Sequence, residues 1–440
     1  MMSFQRAQEV IDWVHSFVPL GVRPGLERME WLMARLKHPE RRLKFVHIGG
    51  TNGKGSTLAF MRHVLTKAGY NVGSFTSPYL TRFQDRIQLN GVDISDGALV
   101  KAASTLKPLV DELAETELGP PTEFEVVTAL ALLYFAQEAY PDLVLWEVGL
   151  GGRLDSTNIV HPILTVITNI GHDHMNLLGE SLGEIAKEKA GIIKAGVPLV
   201  TAVEEGEALD VITQVAKEKK ASIYRLGDAF KLEIEQQDGQ GSTFSYISWF
   251  NRFDRLRIRL KGRHQVYNAG LALMGLEILK QYFALVWEEE ELRQGLEEAK
   301  WAGRLEEIDP RGPVVLDGAH NPEGIRALVQ ALKDHYPEKR WTVLFGVLKE
   351  KPVLDMLKAF EDAPINQVIL TQFEASPRAS TVQEMEEALK RVNWQPPFPI
   401  WTEQDWEKAY LKAVQGGEPV CFTGSLYFIA EVRRKLFTGI

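Results

Sequence analysis

Apolar residues recur at three- and four-residue spacing over residues 5–18 and 26–37, which predicts two amphipathic helices at the head of the chain. A short apolar run at 43–48 predicts a strand. Glycines then interrupt, helical spacing returns from about Gly55 to Ala68, and a second short run occupies 71–76. Strand, loop, helix and strand in that order begin a parallel sheet with crossover helices. Thr122-Glu123-Phe124-Glu125 has the form of a capping box, Thr122 being the N-cap and Glu125 reaching back. The helix it opens, to about Ala139, is apolar almost all round, as a buried helix is. Runs at 143–148 and 163–168 fit central parallel strands. A second capping box, Ser181-Leu182-Gly183-Glu184, opens a helix to about Ala190.

Between 220 and 260 the pattern turns to short alternating segments such as Phe244-Ser245-Tyr246-Ile247-Ser248, which predicts an antiparallel flank. Helical spacing resumes over 266–281 and 288–299. After Trp301-Ala302-Gly303-Arg304 an α/β rhythm restarts, with strands at 314–316, 342–345, 367–370 and 420–423. The expectation is an α/β protein of two domains. Residues 1–297 form an N-terminal parallel-sheet domain with a small antiparallel flank, and residues 298–440 a C-terminal Rossmann-like α/β domain.

Composition narrows the function classes. A net charge of −9 argues against a nucleic-acid partner, which needs a basic face, and against an anionic membrane surface. The longest apolar stretch, 129–136, is too short to span a bilayer. Met1-Met2-Ser3-Phe4-Gln5-Arg6 opens the chain without the continuous apolar core of a secretion signal. Cys421 is the one cysteine, so no internal disulfide forms, and its apolar neighbours predict a buried thiol. A cytoplasmic protein is expected.

Gly49-Gly50-Thr51-Asn52-Gly53-Lys54-Gly55-Ser56 lies where a strand becomes a helix. Backbone N–H groups and the helix dipole converge on an anion at such a junction. Lys54 adds a charge for the outer phosphates, and a hydroxyl just beyond can hold Mg²⁺. Two features depart from the G-x-x-x-x-G-K-[ST] form. The spacing before Gly53-Lys54 is short, and Gly55 displaces the hydroxyls to Ser56 and Thr57. Asn52 to Thr57 are the expected ATP-binding segment.

The run at 143–148 reaches Glu147 near its end, followed by Gly149-Leu150-Gly151-Gly152-Arg153-Leu154-Asp155. A carboxylate there needs a partner. Because the carboxyl ends of strands form the ligand crevice of open α/β sheets, Glu147 is placed to meet Mg²⁺; a salt-bridged structural glutamate is the alternative. After the next strand come His172-Asp173-His174, of which hardness favours Asp173 for Mg²⁺, while residue chemistry alone does not choose among the three. By composition Lys187-Glu188-Lys189 reads as a solvated helix face. In the second domain, Asp317-Gly318-Ala319-His320-Asn321-Pro322 again sets an acid and a histidine at a strand end, and Arg304 stands at the domain joint, within reach of phosphates.

These segments occur with Leu26-Glu27-Arg28, Thr76-Ser77-Pro78-Tyr79-Leu80, Glu188-Lys189-Ala190-Gly191 and Gly303-Arg304-Leu305-Glu306. In that order they resemble the folylpolyglutamate synthases, including bifunctional dihydrofolate synthases, of the Mur ligase superfamily. The resemblance covers nearly the whole chain. Its sharpest point is Gly55: the folate branch reads G-K-G-[ST], whereas cell-wall ligases place Thr or Ser directly after the lysine. Tyr79 departs from the histidine that members often carry.

The resemblance implies a Mur-type ATPase domain and a glutamate ligase domain. ATP phosphorylates a carboxylate to an acyl phosphate, which the amine of L-glutamate attacks. It implies Ser77, Glu147 and His174 as Mg²⁺ positions and Lys189 as a carbamylated lysine serving a second Mg²⁺, which reverses the charged-face reading. Asn268, Arg304 and Asp317 match nucleotide contacts, and Lys54, Lys189 and His320 the catalytic set. Leu26, Glu27, Arg28, Thr122, Glu123, Phe124, Glu125, Leu154, Asp155 and Ser156 match pterin contacts. The implied partners are L-glutamate with a reduced folate or dihydropteroate, acting on a monomer. A cell-wall amino-acid ligase would instead show G-K-T and a UDP-binding domain, for which the roughly 40 residues before the loop are too few. A regulatory P-loop NTPase would not need Glu147, His174, Lys189 and Asp317 together.

Overall fold

The computed structural model describes residues 4–309 and 314–438, so Met1, Met2 and Ser3 of the opening segment lie outside it. Helical periodicity is realised at once. α1 (Ala7–His15) turns Ala7, Val10 and Val14 inward, and α2 (Glu27–Arg35) does the same with Met29, Leu32 and Met33. β1 (Phe45–Gly49) is buried at every position and hands over to α3 (Lys54–Lys67) through the glycine loop. β2 (Val72–Phe75), β3 (Ile87–Leu89) and β4 (Val92–Asp93) follow.

Next comes α4 (Asp96–Ala114), a long helix in a stretch where the pattern predicted no element. Its Ser95 side chain caps the first turn by accepting from the Ala98 N–H, and it carries Pro108 internally. α5 (Glu123–Tyr134) opens on the expected capping box, then widens into a π-turn at Phe135–Ala139. β5 (Leu143–Glu147), β6 (Leu164–Ile167), α6 (Met175–Leu178), α7 (Leu182–Ala190), β7 (Leu199–Thr201), α8 (Glu207–Glu218) and β8 (Ile223–Arg225) complete the first sheet. Its order is β4-β3-β2-β5-β1-β6-β7-β8. The pairs from β2 to β8 are parallel, and β3 and β4 add an antiparallel edge. Through Phe45, Phe75, Val144 and Trp146 one face packs on α1, α2, α4 and α5. Ile167 and Leu199 pack with α7 and α8.

β9 (Phe230–Asp238), β10 (Gly241–Ser248) and β11 (Arg252–Ile258) form a three-stranded sheet in the order β11-β10-β9. Only residues 239–240 join the first two, a connection that only antiparallel neighbours permit. α9 (Arg263–Phe283) and α10 (Glu289–Glu298) follow.

The remaining elements are β12 (Glu306–Asp309), β13 (Val314–Leu316), α11 (Pro322–His335), β14 (Trp341–Phe345), α12 (Val353–Lys358), β15 (Ile365–Gln372), α13 (Val382–Lys390), β16 (Ile400–Asp405), α14 (Trp406–Gln415), β17 (Val420–Thr423) and α15 (Leu426–Thr438). Their sheet runs β12-β13-β17-β14-β15-β16, parallel except for β12. Buried Cys421 lies in its core.

The chain divides into two compact units. One holds Met1–Lys231, Tyr246–Arg252 and Asn268–Glu298; the other holds Leu232–Ser245, Phe253–Tyr267 and Ala299–Ile440. α9 therefore begins in the second unit and ends in the first. No helix among the described residues is long and apolar enough to cross a membrane.

Candidate active site

The glycine loop is held open by its neighbours. Thr51 N–H donates to the Asn169 carbonyl at 3.0 Å and Asn52 N–H to Asn169 Oδ1 at 2.8 Å. Thr168 Oγ1 donates to the Asn52 carbonyl at 2.6 Å. Gly50, at φ +133°, leaves no room for a side chain: a Cβ would lie 1.9 Å from Thr168 Oγ1. Gly53 caps α3 in a left-handed conformation at φ +88°, and a Cβ there would lie 2.3 Å from Asn268 Oδ1. Asn268 is thus built against the loop. Lys54 folds over the turn, donating to the carbonyls of Gly50 and Thr51 at 3.1 and 3.2 Å. Gly55, Ser56 and Thr57 are buried, and Thr57 Oγ1 has no hydrogen-bond partner.

Lys189 departs from the solvated-face reading. It is 5% exposed, on the inward stripe of α7 with Ile185, Ala186 and Ala190, whereas Lys187 faces solvent. Lys189 Nζ donates to the Gly50 carbonyl at 3.1 Å, which sets it against the phosphate loop. Burial, reinforced by the nearby Lys54 charge, pulls its pKa down to about 7, against the opposing pull of Asp173 and Asp155. A large share of this amine is neutral at ordinary pH.

Glu147 ends β5 in register with Ile48 of β1, and its Oε2 accepts from the Ser77 N–H at 3.3 Å. These two expected metal positions are brought together. His174 caps α6 at φ +52°, its Nε2 3.9 Å from Asp173 Oδ1. Among the described residues no group of three or more His, Cys, Asp or Glu is arranged to hold a metal. Mg²⁺ takes one or two protein oxygens and completes its shell with phosphate and water. The oxygens of Glu147 and Ser77 and the orphaned Thr57 hydroxyl fit such an ion; the His174 nitrogens are the less natural donors.

The expected substrate-binding residues gather in the same unit. Arg28 Nε donates to both oxygens of Glu125 at 3.0 Å, and Glu125 Oε2 also accepts from the Thr122 N–H at 2.7 Å. The Gly25 N–H reaches the Leu154 carbonyl at 3.4 Å, and Ser156 Oγ lies 3.0 Å from Thr128 Oγ1 on α5. The starts of α2 and α5 and the loop after β5 therefore converge. Leu26, Glu123 and Phe124 are half-buried and Glu27 is exposed. Asp155 is buried, with Oδ1 accepting from the Thr157 N–H and hydroxyl and Oδ2 from the Leu150 N–H at 2.8 Å; burial raises its pKa. Its carboxylate shapes its own loop.

In the second unit, buried Asp317 accepts from the Leu305 N–H at 3.0 Å and the Ala319 N–H at 2.9 Å. Burial raises its pKa, opposed by the Arg304 charge. Arg304 is half-buried, and its guanidinium crowds Gly318, where a Cβ would lie 2.7 Å from Nη1. His320 Nδ1 donates to the Gly318 carbonyl at 2.8 Å, which makes Nε2 the basic nitrogen of the neutral ring. Arg304, Asp317 and His320 thus occupy one loop system.

Residues 48–276 match the Mur ligase middle domain and residues 303–426 the Mur ligase glutamate ligase domain. The chain is 44% identical to the dihydrofolate synthase/folylpolyglutamate synthase of Bacillus subtilis over 98% of its own length and all of that protein. The chain belongs to the folylpolyglutamate/dihydrofolate synthase family of Mur ligases. Among solved family structures, it superposes with a TM-score of 0.89 on the Mycobacterium tuberculosis folylpolyglutamate synthase complexed with ADP and AMPPCP. That match is 28% identical and covers 98% of each chain. Against E. coli FolC in complex with DHPP and ADP the TM-score is 0.87 at 26% identity, covering 100% of this chain and 99% of that one.

Within this member of the folate-ligase family, sequence reasoning passed over Thr168 and Asn169, which hold the loop open. Their place at the carboxyl end of β6, in the crevice already assigned to Glu147, was the available signal. It also passed over Arg86, whose buried guanidinium pairs with Glu123 and lies 5.6 Å from the Phe124 ring centre. No motif marks an arginine that acts from the turn before β3.

Proposed function

We propose that this chain is an ATP-dependent ligase joining L-glutamate to the carboxylate of a reduced folate, and of dihydropteroate as well, through an acyl phosphate. The observation that carries the reading is Lys189: a buried amine with a pKa near 7, set on the phosphate-loop carbonyl of Gly50. A regulatory nucleotide switch has no use for that group, whereas a ligase that must bring an anionic carboxylate to an anionic phosphate does. The neutral amine attacks CO₂, forming an N–C bond and releasing a proton, and the resulting carbamate is an anion able to serve a metal.

Lys54 neutralises the outer phosphates, and Asn52 to Thr57 with Asn268 hold the nucleotide. Ser77, Glu147 and His174 are assigned to one Mg²⁺ and carbamylated Lys189 to a second; when bound, these ions offset charge on the transferring phosphoryl group. The residues around Leu26, Glu27, Arg28, Thr122–Glu125 and Leu154–Ser156 take the pterin end. In the C-terminal part, Arg304 and Asp317 contact nucleotide, and His320 Nε2 takes a proton from the attacking amine of glutamate. Residues 1–297 then serve ATP binding and 298–440 glutamate ligation, on small molecules, by a monomer in the cytoplasm.

The test supplies ATP, L-glutamate and either dihydropteroate or tetrahydrofolate, and follows ADP and the glutamylated product. Turnover with both is expected. Turnover only with a UDP-linked peptide precursor would overturn the reading. Lys189→Ala should lose activity that short carboxylates partly restore.

A further inference from the structure

His47 lies at the centre of β1, two residues before Gly49, and is fully buried, as is Thr157. Its Nε2 is 3.0 Å from Thr157 Oγ1. The Thr157 hydroxyl donates in turn to Asp155 Oδ1, which also accepts from the Thr157 N–H at 3.0 Å. Since that hydroxyl has one proton and spends it on Asp155, it accepts from His47, and His47 carries its proton on Nε2. His47 Nδ1 is left without a hydrogen-bond partner. Burial lowers the His47 pKa to about 3, helped by the Lys194 charge, so the ring stays neutral through the working range. On the far side of the carboxylate, Asp155 Oδ2 accepts from the Leu150 N–H at 2.8 Å. Trp146 Nε1, from β5, donates to the Thr157 carbonyl at 3.0 Å.

A buried histidine with one nitrogen unpartnered is costly. Here it gives the 149–158 loop a fixed donor from a central strand, beside the one that Trp146 supplies from β5. We infer that His47 is a positioning residue for the pterin end of the substrate, acting through the relay His47 Nε2–H, Thr157 hydroxyl and Asp155 carboxylate to hold Leu154, Asp155 and Ser156 in place. The inference rests on the ligase reading for its substrate. The phosphate loop, although it follows β1 directly, is braced separately by Thr168, Asn169 and Lys54. Loss of the relay therefore affects the pterin side and leaves ATP binding as it was.

The experiment compares wild type with His47→Leu, which removes the donor, and with Thr157→Val, which breaks the relay at its middle while keeping its shape. His47→Gln restores an N–H close to the Nε2 position. Two readouts are taken: amide hydrogen exchange at Leu150 and Thr157, and the KM values for tetrahydrofolate and ATP. Both breaking variants should exchange faster at those amides and raise the tetrahydrofolate KM about tenfold, with the ATP KM within about twofold. His47→Gln should recover most of the loss. Unchanged exchange at Leu150 and Thr157, or an equal rise in both KM values, overturns the relay. If wild type turns over no folate, the ligase reading falls, and the exchange data still decide whether His47 holds the loop.

Discussion

Replacing Lys189 with Met should make the protein more stable and stop the reaction. The magnitude follows from the cost of keeping an ammonium where Lys189 sits. Its pKa falls from 10.5 to about 7. At 1.36 kcal/mol per unit this is about 5 kcal/mol below pH 7. At pH 8 the folded amine is already neutral and only the unfolded chain binds the proton, which leaves about 3 kcal/mol. The lost hydrogen bond to the Gly50 carbonyl returns about 1 kcal/mol of that. Because the folded pKa lies below the unfolded one, the unfolded state holds more protons between pH 7 and 10.5. Wild-type stability therefore rises with pH across that window, and the Met variant should lose that slope. Calorimetric melts of both proteins in CO₂-free, metal-free buffer at pH 8 and pH 10 measure it, following the transition of the unit that holds Lys189. A rise of a few degrees at pH 8 that shrinks at pH 10, with no ADP released, is expected. A Met variant that melts lower, keeps the wild-type pH slope or still turns over would refute the reasoning.

Gly53→Ala forces a Cβ to within 2.3 Å of Asn268 Oδ1 at φ +88°; it should raise the ATP KM by at least about tenfold, and an unchanged KM in ADP-release assays would count against the loop assignment. Glu123→Gln leaves the Arg86 guanidinium, 6% exposed and with Nε already unpartnered, without its counter-charge. A loss of about 3 kcal/mol in urea unfolding is expected, and a loss under about 0.5 kcal/mol would mean the pair is not buried in solution. His264 is held neutral, its pKa lowered to about 4 by burial, with Arg304 and His335 adding repulsion. Above pH 6.5 it costs nothing; as pH falls from 6.5 to 4 the unfolded chain takes the proton first, and stability drops by up to about 3 kcal/mol. Melts of His264→Gln should be flatter in that window, and identical pH profiles would exclude this histidine as the cause.

Much of the first unit could be read from the chain because its signals are local. The run into β1, the glycines after it and the two capping boxes each act through near neighbours, and each forms where expected. α4 was missed because its cap, Ser95, lacks a Glu or Gln three positions on and because Pro108 reads as a breaker, although the helix carries it. α5 was expected to run on to Ala139, but its last turn opens into a π-turn. Lys189 shows where local chemistry fails. Three charges in a row look solvated until packing against Gly50 decides which one turns inward, and only the resemblance to a family pointed there. His47, Thr168 and Arg86 act on segments distant in sequence, and no spacing rule connects them to the residues they hold.

The path of the chain through its two units limits how the gene could be divided. A stop codon at residue 298 would not release an intact first half. Residues 232–245 and 253–267 would be translated without the unit to which they belong. Lys261 would lose Glu307 and the Tyr336 hydroxyl, and Gly262 would lose the ring nitrogen of His335 that accepts its N–H. Such a fragment would emerge from the ribosome with apolar strands uncovered, a substrate for chaperones and proteases. Splitting the enzyme into complementing halves, or recombining it with a relative, would succeed only at joints that keep 232–267 in the same polypeptide as the C-terminal sheet.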